Sequence, residues 1–133
     1  MAGKGKAVSS GADLRDRVAN IARDLGLGVR TEVRVARRLW GAARQIDVIA
    51  SDRASGRSLG MECKFQGSSG SAEEKIPATV QDIAAWPIPG IVVFEGEGFS
   101  KNMRAFLYST GKAVELTDLR DWLVLFFAKD LGT

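Results

Sequence analysis

The stretch RQIDVIASDRASGRSLGMECKFQ, residues 44–66, decides how this chain is read. Successive side chains of a β-strand point to opposite faces. Over 44–51 this puts Gln45, Asp47 and Ile49 on one face and Ile46, Val48 and Ala50 on the other. Over 58–66, Leu59, Met61, Cys63 and Phe65 form an apolar face, while Glu62, Lys64 and Gln66 point the opposite way. The polar segment 52–57, with Gly56, suits a hairpin loop, so the two strands pair antiparallel. Folding symmetrically about Ala54 and Ser55 sets Asp47 opposite Glu62 and Gln45 opposite Lys64. Each strand then carries one greasy face and one chemical face.

Outward from this hairpin, apolar residues at spacings of three and four (Leu14, Val18, Ile21, Ala22, Leu25) predict an amphipathic helix over 12–25, ended by Gly26 and Gly28. Alternation over 29–39 predicts a strand with one wet face, closed by Trp40 and Gly41. After the hairpin, the Gly/Ser segment 67–71 leads into a helical pattern reaching Trp86. Ser71 and Glu74 suit a capping box, whereas Pro77 favours a start at Ile76. The run GIVVFEG, 90–96, reads as a strand buried on both faces. Ser100 suits the cap of a helix reaching Tyr108, residues 112–116 a short strand, and Thr117 with Asp118 the opening of a terminal helix. That helix is apolar on more than one stripe, which fits core burial or a homodimer contact. Three consecutive strands followed by helical crossovers give an α/β fold with a mixed central sheet flanked by helices.

Composition narrows the chemistry. The chain has 133 residues, 45% apolar and 26% charged, enough for one domain over 11–133 behind a flexible basic tail, 1–10. It has no histidine, which excludes histidine-based triads, Cys/His zinc sites and any imidazole general base. The single Cys63 excludes disulfides within the chain and points to the cytoplasm. No apolar run is long enough for a membrane span, so no membrane partner is expected. Residues 1–66 hold thirteen basic and seven acidic residues, against six and nine in 67–133. This asymmetry suggests a polyanionic partner for the first half, or a solvated surface.

Two carboxylates facing each other across a hairpin repel, and the pair asks for a counter-ion. Hard cations such as Mg²⁺ are held by one or two carboxylates, with water and phosphate completing the shell. Lys64 on the same face adds an ammonium able to orient water or stabilise phosphoryl charge. These are the parts needed to hydrolyse a phosphodiester without histidine. The alternative is a solubilising face with an ordinary cross-strand ion pair.

Ile46-Asp47 followed, after a hairpin, by Glu62-Cys63-Lys64 resembles the PD-(D/E)XK nuclease superfamily, also called restriction-endonuclease-like. The resemblance implies an αβββαβ core over most of 12–96 with extra C-terminal helices. It implies that Asp47 and Glu62 hold Mg²⁺, with Mn²⁺ a possible substitute, that the Cys63 carbonyl adds a ligand, and that Lys64 is the catalytic lysine. Gln66 matches a polar position that many members place at the site. Ile46 stands where the motif has proline. Many members carry a glutamate on the first helix, and here Asp13 and Asp16 are the acids available. The implied activity is a Mg²⁺-dependent DNA endonuclease leaving 5′-phosphate and 3′-hydroxyl ends, and one active site per domain makes a homodimer the expected way to cut both strands. A Holliday-junction resolvase and a non-catalytic DNA-binding module on the same fold are the alternatives.

Arg34, Arg38 and Arg44, with Arg30 and Arg37, lie on or beside the strands leading to the site and are candidate phosphate contacts or plain surface charge. Lys75, after the Gly/Ser loop, is a further nucleic-acid contact. Glu73-Glu74-Lys75 repeats the Glu-x-Lys spacing but lacks strand alternation and a preceding aspartate. Gln81 and Asp82 are expected to face solvent, and Trp40, Trp86 and Trp122 to serve core or interface.

Overall fold

The computed structural model describes residues 7–37, 43–68 and 75–129, with the side chains of 35–37 and 43–44 outside that description. Trp40, Arg38, the Ser71–Glu74 capping box and Glu73 therefore lie outside the described residues, as do the side chains of Arg37 and Arg44.

Helix α1 (Gly11–Asp24) starts where Ser10 accepts the backbone N–H of Asp13 at 3.0 Å, while the Asp13 carboxylate accepts the N–H of Ser9 at 3.0 Å. These reciprocal bonds satisfy donors left open by the first turn. Leu14, Val18 and Ala22 recur every fourth residue and are fully buried. Strands β1 (Gly28–Arg37), β2 (Ala43–Ser51) and β3 (Ser58–Phe65) form the antiparallel part of the sheet. The hairpin register is the one symmetric folding requires, running from Ser51 opposite Ser58 to Val48 opposite Met61. Helix α2 (Ile76–Ala84) begins beside Pro77, the later of the two starts considered. It crosses to β4 (Gly90–Glu95), parallel to β3. Helix α3 (Lys101–Ser109), capped by Ser100, leads to β5 (Ala113–Glu115), parallel to β4, and α4 (Leu116–Phe126) follows. The sheet order is β1-β2-β3-β4-β5.

Helices α1 and α4 cover one sheet face through a core containing Leu14, Val18, Val48, Met61, Val93, Leu119 and Leu123. The other face is covered by α2 and α3 through Ile46, Ile76, Ile83, Trp86, Val92, Phe94 and Leu107. Paired glycines seat Trp86 on this second face. Gly60 and Gly90 are register partners, and a Cβ on either would lie 2.7 or 2.4 Å from the indole. The surplus apolar surface of α4 is largely core: Leu119, Leu123, Val124 and Phe127 are buried, Trp122 stacks on Phe126, and Arg57 caps the Phe126 ring. Leu125 alone on that helix is a strongly exposed apolar side chain.

Three expectations need correction. Val8, assigned to the tail, is buried in the first core, and Ala7 accepts a hydrogen bond from Arg17. The chemical face of the hairpin is covered by α2 and Trp86, so Ile49, which shares it with Asp47, is buried there as well. Ile46 does not share a cluster with Val48 and Ala50; it packs on the Trp86 side. Strict alternation is broken at Asp47.

Candidate active site

The break at Asp47 builds the site. Past Val48 and Met61 the β2–β3 ladder stops. There the Asp47 side chain replaces a backbone acceptor, with its Oδ2 taking the N–H of Cys63 at 2.8 Å. On the other side of β2, the ladder with β1 pairs Thr31 with Val48 and Val33 with Ile46 but skips Glu32 and Asp47. Glu32 has a φ of 53°, a left-handed conformation that costs a non-glycine residue about 1–2 kcal/mol. Where β2 peels from β3, a pocket of about 310 Å³ opens, lined by Asp47, Glu62, Cys63 and Lys64 together with Gly11, Ala12 and Arg15 of α1.

Glu62 is the strained member. Its side chain is 19% exposed, its Oε2 lies 4.0 Å from the Lys64 ammonium, and its buried Oε1 has no hydrogen-bond partner. Burial first, then the charge of Asp47, pushes its carboxyl up to about 7, against the pull of Lys64 and the Asp47 backbone N–H. Burial likewise raises Asp47, partly offset by the Cys63 N–H and the charges of Lys64 and Arg15. The Cys63 thiol is pushed far above its usual range by burial in the first core, so this residue offers the site its backbone and not its sulfur.

Asp47, Glu62, Cys63 and Lys64 are therefore brought together. Gln66 is not: it is 5% exposed, its amide donates to the Gly98 carbonyl at 2.8 Å, and it does not line the pocket. The strand ends at Phe65, and the segment beyond it is held against the β4–α3 loop, where Gly96 and Gly98 lie against the backbone of Gln66 and Ser68. Arg34 and Lys75 are exposed and lie outside the pocket lining, and the Arg44 side chain is beyond the described residues. On α1, Asp13 pairs with Arg17 and Asp16 with Arg15, and neither acid lines the pocket. Three residues escaped sequence reasoning. Arg15 takes the place sought for an acid on α1, Glu32 pairs with it at 3.1 Å, and Asp82 on α2 bears on Glu62 electrostatically. The misplaced φ of Glu32 has no sequence signal. Arg15 reads in the sequence as part of the polar face of α1, and only the packing of that helix over the split hairpin brings it to the pocket.

Among the described residues no group of three or more acidic, Cys or His side chains forms a metal cluster. Two carboxylates and a peptide carbonyl still suit a hard divalent ion that keeps several waters and takes up substrate phosphate. The unpartnered Glu62 Oε1 is the donor such an ion would satisfy.

A five-strand mixed sheet with an antiparallel hairpin feeding parallel crossovers, and paired carboxylates with a lysine where the hairpin splits, is a restriction-endonuclease-like α/β domain. Residues 6–124 match the family described as the PD-(D/E)XK nuclease superfamily domain, and the chain belongs to that superfamily. Among solved structures it is similar to the crystal structure of AF1548, titled a protein of unknown function. The TM-score is 0.54 at 19% identity, over 77% of this chain and 56% of that one. That likeness concerns the fold. This chain spans little more than half the length of that protein. No curated protein sequence matches the chain. No described helix is long and apolar enough to cross a membrane.

Proposed function

We propose that this protein is a Mg²⁺-dependent DNA endonuclease, with Mn²⁺ as a possible substitute. The observation that carries the reading is Glu62: a carboxylate with one buried, unpartnered oxygen, pushed up by burial and then by its neighbour Asp47, and flanked by Lys64. Two acids held this way raise one another's proton affinity, and Lys64 at 4.0 Å leaves the Glu62 Oε1 unpartnered, so a divalent ion would relieve the pair further. Superfamily membership supports the same chemistry.

In this reading Asp47, Glu62 and the Cys63 carbonyl hold the ion. When bound, such an ion polarises a phosphoryl oxygen and lowers the pKa of water. The chain's own groups do the rest. The Cys63 N–H fixes Asp47 in one orientation. Lys64, half withdrawn from solvent, donates to the attacking water or to a phosphoryl oxygen as charge grows there. Water forms a bond to phosphorus and gives up a proton to solvent, while the bond from phosphorus to the in-line 3′-oxygen breaks and that oxygen takes a proton from solvent, leaving a 5′-phosphate and a 3′-hydroxyl. One domain carries one such pocket, so cutting both strands calls for a homodimer, with the cytoplasm as its compartment.

The test uses supercoiled plasmid, a four-way junction, its matching linear duplex and single strands, with Mg²⁺, Mn²⁺ or chelator. Cleavage that needs the metal and disappears in Asp47→Asn and Lys64→Ala proteins that still bind DNA is the expected result. Cleavage surviving both substitutions overturns the site. Binding without cleavage by the unaltered protein makes it a DNA-binding module, and preference for the junction makes it a resolvase.

A further inference from the structure

The pocket's second cation is not explained by the catalytic parts. Among the described lining residues the cations are Lys64 and Arg15. Lys64 sits beside Glu62, whereas Arg15 is held from outside the pocket, by Glu32 at 3.1 Å through Nη1 and more loosely by Asp16 at 3.4 Å through Nε. The exposures are unequal. The Arg15 side chain is 26% exposed, against 58% for Glu32 and 66% for Asp16. The cation thus belongs to the pocket wall, and the acids approach it from solvent, free to swing away without opening the fold. A planar guanidinium fits phosphate oxygens as well as it fits carboxylate. Glu32 also sits at the left-handed backbone position opposite Asp47, where the β1–β2 ladder is interrupted. Strain of this kind persists where surrounding structure demands it and clusters at functional sites.

We propose that Arg15 is a phosphate-binding residue of the catalytic pocket and that Glu32 is its latch. In the free protein Glu32 occupies the guanidinium; when nucleic acid enters, a backbone phosphate replaces the carboxylate on the same donors. The exchange sets the affinity of the pocket for the backbone and rejects weakly bound anions, because any entrant must displace Glu32. This inference rests on the nuclease reading above and adds a binding residue on α1 to it.

The experiment measures binding of a fluorescent linear duplex, by anisotropy in Mg²⁺, to Lys64→Ala protein so that turnover does not interfere. In that background Glu32→Gln should tighten binding several-fold, and Arg15→Ala should weaken it about tenfold, the size of one charge-assisted phosphate contact. The deciding arm combines them. With Arg15 gone, Glu32→Gln should change affinity by less than about twofold, since nothing remains to release. Equal tightening with and without Arg15 would mean that Glu32 merely repels DNA at a distance, and no tightening at all would mean that it holds α1 in place; either overturns the latch. Arg15→Gln replaces Arg15→Ala if the latter does not fold, as judged by its thermal midpoint. Cleavage by the unaltered protein, measured alongside, separates the two failures. Cleavage without Arg15–Glu32 coupling removes the latch alone, whereas absence of both binding and cleavage removes the nuclease reading with it.

Discussion

Strands β3 and β4 lie side by side, parallel and in register, with Met61 beside Ile91, Glu62 beside Val92, Cys63 beside Val93 and Lys64 beside Phe94. Both are interior strands covered by helices on each face. Burial alone would give them the same composition, and β4 obeys: Ile91 to Phe94 are apolar and at most 2% exposed. In β3 the first core receives Leu59, Met61 and Cys63 as expected, while the positions matching Val92 and Phe94 carry a carboxylate and an ammonium. Alternation in β3 looks like that of a strand with one side in water, yet its cause is different. The charges sit where the sheet is covered, at the point where β2 turns away.

Making β3 resemble β4 is the most severe way to break this contrast. Glu62→Leu removes the carboxylate while roughly keeping its volume. Metal-dependent cleavage should fall by about 10³-fold or more, as expected when a group that stabilises transition-state charge is lost. The fold should tighten at the same time, because replacing a buried charge by an apolar side chain often stabilises by about 1–4 kcal/mol. Plasmid cleavage and the thermal midpoint at pH 8 report the two effects. Loss of both activity and stability would show that Glu62 holds the sheet together and would sink the contrast.

The reverse exchange should be almost as damaging, chiefly to stability. Val92→Glu puts a carboxylate at a fully buried position beside Glu62, with no pocket to water and no lysine of its own. An uncompensated buried charge costs roughly 3–5 kcal/mol. Urea unfolding should shift accordingly; a loss below about 1 kcal/mol would mean that β4 has a wet route the structure does not contain.

The same contrast explains which parts could be read in the sequence. Helix α1, the hairpin register, the fully buried β4 and the Ser100 cap follow from local rules: 3.6-residue periodicity, a polar turn centred on Ala54 and Ser55, a continuous apolar run, a hydroxyl before a helix. The meeting of Asp47, Glu62 and Lys64 was legible because a paired hairpin brings those positions to one edge. What failed depended on where regular structure stops. Gln66 continues the period of two on paper, but the strand ends one residue earlier and its amide is captured by Gly98. Ile46 changes sides because β2 is irregular at Asp47. Arg15 lies on what any helical wheel calls the outer face of α1, and its importance depends on the tertiary fact that this helix begins over the split between β2 and β3.

The smallest effect sharpens the comparison most, since it isolates the charge of Glu62 from its shape. An unfolded glutamate titrates near its ordinary value of 4.5, whereas in the fold this carboxyl is pushed up to about 7. Between those values the folded protein binds the extra proton, so stability falls as pH rises through the window and the loss is complete above it. At 19% side-chain exposure only a modest solvent discount applies, and the loss is on the order of 2 kcal/mol. Asp47, raised by burial, acts in the same direction; Asp13 and Asp52, held below the usual carboxylate range by hydrogen bonds from Ser9 and Ser55, lose their contributions only at lower pH. Metal-free protein should therefore have a lower thermal midpoint at pH 8 than at pH 5. Glu62→Gln should remove most of that difference. Mg²⁺ should raise the midpoint of the unaltered protein more at pH 8 than at pH 5, because protons and metal compete for the same oxygens, and it should hardly move the Gln variant. A midpoint that climbs with pH in metal-free protein, and climbs equally in Glu62→Gln, would place Glu62 in an environment no different from that of a surface carboxylate, and the distinction between the two strands would lose its electrostatic basis.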